Sequence, residues 1–260
     1  MTRRFALFLV ALASAAIVLS ACGAQAPAAP PLTDPKDILA KTVLSLKDIK
    51  TVEFTGALTG TLTSPSLGGN LDLSSVKMTG ALDIANKKAK FSLDAPTLVG
   101  TKIDALLVDK VAYYKVAGAL AGMMGGTATD KFTKVPVPDS SSNPITTATD
   151  TAKVAAELQA GLDKLPTPPT KGADEKCGDA DCYHVTLKLT AADIKALSPT
   201  TTATDGDFSL DVWTRKNDLR PAKLAITVTS TQTGTIGLTM DFKYDVTVTV
   251  DAPPADQIAP

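Results

Sequence analysis

Residues 235–250 alternate without interruption. Ile236, Leu238, Met240, Phe242, Tyr244, Val246, Val248 and Val250 are apolar, and Thr235, Gly237, Thr239, Asp241, Lys243, Asp245, Thr247 and Thr249 stand between them. Successive side chains of a strand point to opposite faces, so this spacing predicts an antiparallel strand with one apolar and one solvated face. At about 3.3 Å per residue the run would extend for roughly 50 Å, far beyond a usual strand, and a strand of that length must twist and curve. Whatever else the chain contains has to cover that apolar face.

Most of the remaining chain supplies more of the same sheet. Val52, Phe54, Gly56, Leu58, Gly60 and Leu62 alternate with a Thr-rich set, and residues 64–70 break the run. Val76, Met78, Gly80, Leu82 and Ile84 form a second run, and Ala89, Phe91, Leu93 and Ala95 a third after the turn at Asn86-Lys87-Lys88. The pattern continues over 98–109 and 111–116 around Asp109-Lys110, with Tyr113 and Tyr114 on opposite faces. After a Pro/Ser loop at 135–143, strands follow at 183–189, at Phe208, Leu210 and Val212 with Trp213 facing away, and at Leu224, Ile226 and Val228. Residues 251–256 read as an extended tail.

Three helical segments interrupt this meander. Thr33-Asp34-Pro35 offers a capping side chain followed by proline at the first helical position, and Leu39, Val43, Leu46 and Ile49 then fall on one stripe. Val154, Leu158, Leu162 and Leu165 form a second stripe that stops at Pro166, and Thr190 with Asp193 opens a short helix carrying Ile194 and Leu197. Between strands and helices lies the Gly-rich segment 118–126 with Met123 and Met124. It reads either as an adaptable flap over an apolar site or as a loop packed on the core.

The first residues set the compartment. Thr2-Arg3-Arg4 is a basic n-region and residues 5–18 an apolar h-region, too short to cross a bilayer comfortably, so residues 1–21 read as a signal peptide. The h-region ends in Leu19-Ser20-Ala21-Cys22-Gly23, which resembles a bacterial lipobox and nominates Cys22 for lipidation. Several acyl chains on one residue make a stable anchor to the outer face of the plasma membrane. Residues 22–33, rich in Pro and Ala, form a tether, and 34–260 form one domain. Cys177 and Cys182 remain as an even pair in an oxidising compartment, across a turn-forming Gly178-Asp179-Ala180-Asp181. A disulfide is one reading; a metal site completed by His184 and Asp179 or Asp181 is the other.

A formal net charge of −1, with no Lys/Arg cluster beyond the N-terminus, lacks the footprint of a nucleic-acid binder. There is no nucleophile elbow, zinc-protease helix, dinucleotide fingerprint or EF-hand, and a single histidine removes most catalytic triads. The expectation is a binding protein without cofactor, resident metal or catalytic residues.

Several segments resemble one family of proteins. The lipobox and Pro/Ala tether, Asp109-Lys-Val-Ala-Tyr-Tyr-Lys115, Cys182-Tyr183-His184-Val185, Asp193-Ile-Lys-Ala-Leu-Ser-Pro199, Val212-Trp213 and Ala252-Pro-Pro254 are similar to the LppX/LprG (LppX/LprAFG) group of bacterial lipoproteins, related in shape to LolA. The resemblance implies an α+β fold, a curved antiparallel half-barrel with helices packed on its concave side. It also implies a cavity for the acyl chains of a membrane lipid or glycolipid, and an envelope transporter as a further partner. The alternative is an envelope sensor or protein-interaction lipoprotein whose concave face is filled by its own side chains. The apolar faces nominate as cavity walls Leu39, Val43 and Leu46; Val52, Phe54 and Leu58; Met78, Leu82 and Ile84; Phe91 and Leu93; Met123 and Met124; Leu158 and Leu162; Phe208, Leu210 and Val212; and Leu238, Met240 and Phe242.

Overall fold

In the computed structural model the described residues are 31–64, 69–98, 100–118, 121, 130–137, 150–197, 206–230 and 234–259. The expected signal peptide, Cys22 and most of the tether lie outside them, as do Met123 and Met124. Thr33–Pro260 forms one unit. Its strands are β1 (Thr51–Ser64), β2 (Gly69–Asp72), β3 (Lys77–Asp83), β4 (Lys88–Ala95), β5 (Thr101–Val108), β6 (Val111–Ala117), β7 (Thr133–Pro136), β8 (Thr170–Lys171), β9 (Glu175–Cys177), β10 (Ala180–Leu189), β11 (Gly206–Arg215), β12 (Pro221–Ser230) and β13 (Gly234–Tyr244). Among the described residues the α-helices include α1 (Pro35–Ser45), continued by a 3₁₀ turn at Leu46–Asp48, α2 (Thr151–Asp163) and α3 (Ala191–Leu197).

The strands make one antiparallel sheet in the order β7-β6-β5-β4-β3-β1-β13-β12-β11-β10-β8, with β2 on the far end of β1 and β9 on β10. Its edges, β7 and β8, do not pair with one another among the described residues, so the sheet is an open half-barrel. First and last long strands meet at its centre, with Val52 opposite Tyr244 and Leu58 opposite Leu238.

Alternation and register together sort the side chains. Across the sheet Met240, Leu224, Val212 and Val185 align on the inner face, and Phe242, Phe54, Gly80, Phe91, Ala105 and Tyr114 form a second inner row. Two large residues face two glycines across β1 and β3: Phe54 is opposite Gly80, and Met78 opposite Gly56. A Cβ at Gly80 would sit 2.2 Å from Phe54 Cζ, and one at Gly56 would sit 2.4 Å from Met78 Cγ, so these glycines provide the floor on which the larger side chains lie.

Three departures from the expected pattern have local causes. The long run does not stay in the sheet to Val250; pairing ends at Tyr244. There β13 loses both neighbours, because β12 begins at Pro221 and β1 at Thr51, and Asp245 turns the chain away with φ 56° while its N–H donates to the Thr51 carbonyl. Val248 and Val250 instead pack on the outer face with Val108, Tyr113 and Phe132. The tail is consequently a strap whose Ile258 bridges Phe132. Val135 and Pro136, expected at the start of a loop, instead end an edge strand over Thr133–Pro136, a position where Pro136 is tolerated. Finally, β2 lies partly within the expected break and pairs Leu71 with Leu62, a segment too short for its period to register in the sequence.

Candidate functional site

Two of the helices lie against the inner face. Asp34 caps α1, its carboxylate accepting from Lys36 N at 2.7 Å and Asp37 N at 3.4 Å, and Pro35 follows at the first position where no N–H is required. Ile38, Leu39, Thr42 and Val43 are its buried face. Thr42 hydrogen-bonds Ile38 O and the Thr214 hydroxyl of β11, and Ser45 Oγ donates to Leu219 O beyond it, so α1 is pinned along its length to the β11–β12 end of the sheet. Asp150 caps α2 through Lys153 N. That helix packs against α1 and the 3₁₀ turn, with Lys36 and Asp163 paired at 3.5 Å.

Between the helices and the sheet is a cavity of about 770 Å³. From α1 and its turn come Leu39, Thr42, Val43, Leu46 and Ile49. The sheet supplies Val52, Leu82, Ile84, Leu187, Leu210, Val212, Pro221, Leu224, Phe242 and Tyr244. On the third side α2 and its exit contribute Thr151, Val154, Leu158, Leu162 and Leu165. Glu157 and Lys164 are the only charged residues among these walls, and both are exposed, as is Leu158, so the polar rim lies on the α2 side. Such a lining offers an apolar contact surface with few polar groups.

In the sheet wall Tyr244 donates its hydroxyl to Pro221 O at 2.7 Å. Burial pushes this phenol well above the usual tyrosine range, although the Arg215 and Arg220 guanidinium groups, 5.0 and 5.4 Å from the ring centre, pull the other way. It therefore stays a neutral donor. Thr42 and Thr214 satisfy one another and Tyr244 is satisfied by backbone.

Of the residues nominated from sequence, Leu39, Val43, Leu46, Val52, Leu82, Ile84, Leu158, Leu162, Leu210, Val212 and Phe242 come together around this cavity. Met123 and Met124 lie outside the described residues; the others share its face of the sheet but lie outside its walls. The Phe54 ring is 6.5 Å from those of Phe91 and Phe242, and Leu58 and Leu93 pack on Leu73, Val76 and Ala95. Met78, Phe208, Leu238 and Met240 are half-buried beyond the walls. Among the walls that the nomination missed are Thr42, Ile49, Val154, Leu165, Leu187, Leu224 and Tyr244. All but Thr42 carried the signal, since they belong to the same helical stripes and alternating runs.

Cys177 and Cys182 are joined as a disulfide across the β9–β10 hairpin, with Cα atoms 6.0 Å apart. His184 does not complete a metal site with them: its two ring nitrogens face the carboxylates of Glu175 and Asp211. No cluster of potential metal ligands occurs among the described residues.

The architecture is similar to that of LprF from Mycobacterium bovis, with a TM-score of 0.52 and 14% identity over 84% of this chain and 96% of that one. The chain has an LppX/LprG-type fold. The lipoprotein LppX of Mycobacterium tuberculosis aligns over 84% of this chain and 98% of its own at 12% identity and a TM-score of 0.47. MucB in the Pseudomonas aeruginosa MucA/MucB complex aligns over 88% of this chain and 61% of its own, at 9% identity and a TM-score of 0.37. No protein-family model and no curated protein matches the chain. Among the described residues no helix is long and apolar enough to cross a membrane.

Proposed function

We propose that this protein is a lipid-anchored carrier of the bacterial cell envelope that holds acyl chains of a membrane lipid or glycolipid in the cavity between α1, α2 and the sheet. The observation that carries the reading is the lining: a volume of about 770 Å³ walled by aliphatic and aromatic side chains, with charge only at the α2 rim. Each methylene transferred from water into such a wall contributes about 0.8 kcal/mol, so a long chain binds firmly without directional contacts. Discrimination among lipids then rests on volume and on the headgroup at the Glu157/Lys164 rim. The reading is of a binding protein, since the walls supply contact area for an apolar ligand. Lipidation at Cys22 and the Pro/Ala tether would keep the carrier at the membrane that supplies its cargo, where an envelope transporter is a fitting partner.

Native mass spectrometry of the protein purified from a bacterial host tests this. Acyl lipid retained in stoichiometric amount, and exchanged for lipid from added vesicles, is the expected result. A protein that emerges empty and takes up no lipid from those vesicles is instead an interaction or sensor lipoprotein.

A further inference from the structure

The single histidine and the single tryptophan of the chain are stacked on the outer face of the sheet, far from the cavity chemistry. His184 on β10 and Trp213 on β11 are register partners, their rings 4.5 Å apart and 8° from parallel. Lys223 on β12 covers the indole at 4.8 Å. The histidine is also a bridge. Its Nδ1 is 3.1 Å from Glu175 Oε1 on β9, and its Nε2 is 2.9 Å from Asp211 Oδ1 on β11. Glu175 Oε1 further accepts from Trp213 Nε1 at 2.7 Å, and Asp211 Oδ1 from Thr186 Oγ1 at 2.6 Å.

An imidazole can donate from both nitrogens only when protonated; the neutral ring has one donor and one lone pair. His184 Nε2 is hydrogen-bonded to Asp211, whereas Glu175 lies within ion-pair distance of Nδ1 without a hydrogen bond to it, so Glu175 is held only by the charge of the protonated ring. Asp211 is the less exposed of the two, at 26% against 47%, and has the shorter contact, whereas water readily replaces the ring at Glu175. The other charged groups nearby are committed elsewhere: Lys171 and Lys216 hold Asp174, Lys176 pairs with Asp181, and Lys223 lies over the indole. Gly172 packs against Nδ1 with no side chain, and its N–H donates to the His184 carbonyl.

We propose that His184 is a pH-sensitive clamp on the disulfide hairpin. Protonated, it ties β9 to β11 as a cation between two carboxylates, hydrogen-bonded to Asp211 and ion-paired with Glu175; on giving its proton to solvent it keeps Asp211 and lets go of Glu175. The disulfide and the β9–β10 ladder keep the arm attached, so it loosens without leaving. Glu175 and Trp213 both wall a cleft of about 700 Å³ on the outer face, and that cleft is what the clamp reshapes. The inference is independent of lipid carriage and stands or falls without it.

Because each ring type occurs once, the intact protein reports on itself. Trp213 emission follows the charge of the stacked imidazole and marks the titration. Two-dimensional ¹⁵N spectra of the ring should show both nitrogens protonated on the acid side and the proton retained on Nε2 on the alkaline side. Amide exchange of residues 172–177, corrected for its intrinsic pH dependence, should lose about threefold in protection in step with the emission change, the modest size reflecting partly exposed groups. In Glu175→Gln that pH-linked loss should vanish. A proton retained on Nδ1, hairpin protection that ignores the emission change, or a loss that persists in Glu175→Gln would each overturn the clamp.

Discussion

The hydroxyl of Thr42 on α1 lies 2.7 Å from that of Thr214 on β11, and both side chains are buried. The pair is asymmetric. Thr42 also donates to Ile38 O, so it keeps a partner when Thr214 is removed, whereas Thr42 is the only partner Thr214 shows among the described residues. Thr42→Val strands a buried hydroxyl and should cost about 1–3 kcal/mol, Thr214→Val under about 1 kcal/mol, and the double valine variant less than the sum of the two. Urea midpoints of the three variants measure this. Equal costs for the two single variants would mean that the contact does not hold α1 to the sheet.

Phe54 lies across Gly80, and the space for a Cβ there is already taken by the ring. Gly80→Ala should destabilise by about 1–3 kcal/mol through displacement of that ring. The same substitution made together with Phe54→Leu should recover part of the loss, because the shorter side chain vacates the position. Thermal unfolding of the two variants decides between this pairing and a generic cost of altering a strand.

These pairs bear on how far the architecture could be read from the sequence. Alternation identified the inner faces of β1, β3, β4, β11, β12 and β13, and helical spacing identified the stripes of α1 and α2, because both signals depend only on neighbours along the chain. The end of β13 was not legible: Val246, Val248 and Val250 keep the period, and only the starts of β1 and β12 beside Asp245 show where pairing stops. Alternation puts Tyr113 and Tyr114 on opposite faces but does not show that Tyr113 is covered, since its cover is the tail that packs on it. The cavity was legible as a face but not as a volume. Phe54 and Phe242 are indistinguishable by pattern, yet only Phe242 lines it, since which part of a face is roofed depends on where α1 and α2 come to rest. The meeting of His184, Glu175 and Asp211 depends on register between strands and has no signature in the chain.

Tyr244 makes alkaline stability a test of burial. In the folded chain its phenol is pushed above the ordinary range; in the unfolded chain it ionises near 10. Above about pH 10 the native state thus holds a proton that the unfolded state has lost, and stability falls as pH rises further. Tyr244→Phe should lower stability at neutral pH by about 1 kcal/mol, the value of its bond to Pro221 O, but flatten the alkaline decline. Denaturation midpoints from pH 8 to 11 for the two proteins give the slopes, and parallel slopes would show that this phenol is not the group responsible.

If Cys22 carries acyl chains, Cys22→Ser should abolish incorporation of an alkyne-palmitate label and move the protein from the detergent phase to the aqueous phase on Triton X-114 partition. The folded unit begins at Thr33, so the unfolding midpoint of the released protein should not change. Label retained in the serine variant would place the modification elsewhere and remove the basis for membrane anchoring at this residue.

Leu82 distinguishes an open cavity from a closed core. Its side chain is half-buried, walls the cavity on one side and packs on the other against Ala89, Leu107, Ala112 and Val137. If the volume in front of it is occupied by cargo, Leu82→Trp should displace that cargo, reducing retained lipid at least tenfold while costing less than about 1 kcal/mol in the empty protein. Ala89, in the same cluster but 5% exposed and outside the cavity walls, provides the contrast: Ala89→Trp overpacks a filled region and should cost about 1–3 kcal/mol or prevent folding. The comparison uses lipid content by mass spectrometry and stability by urea denaturation of delipidated protein. Comparable destabilisation in both variants, with lipid content unaffected in the one at Leu82, would place the cargo elsewhere and make this face of the sheet an ordinary core.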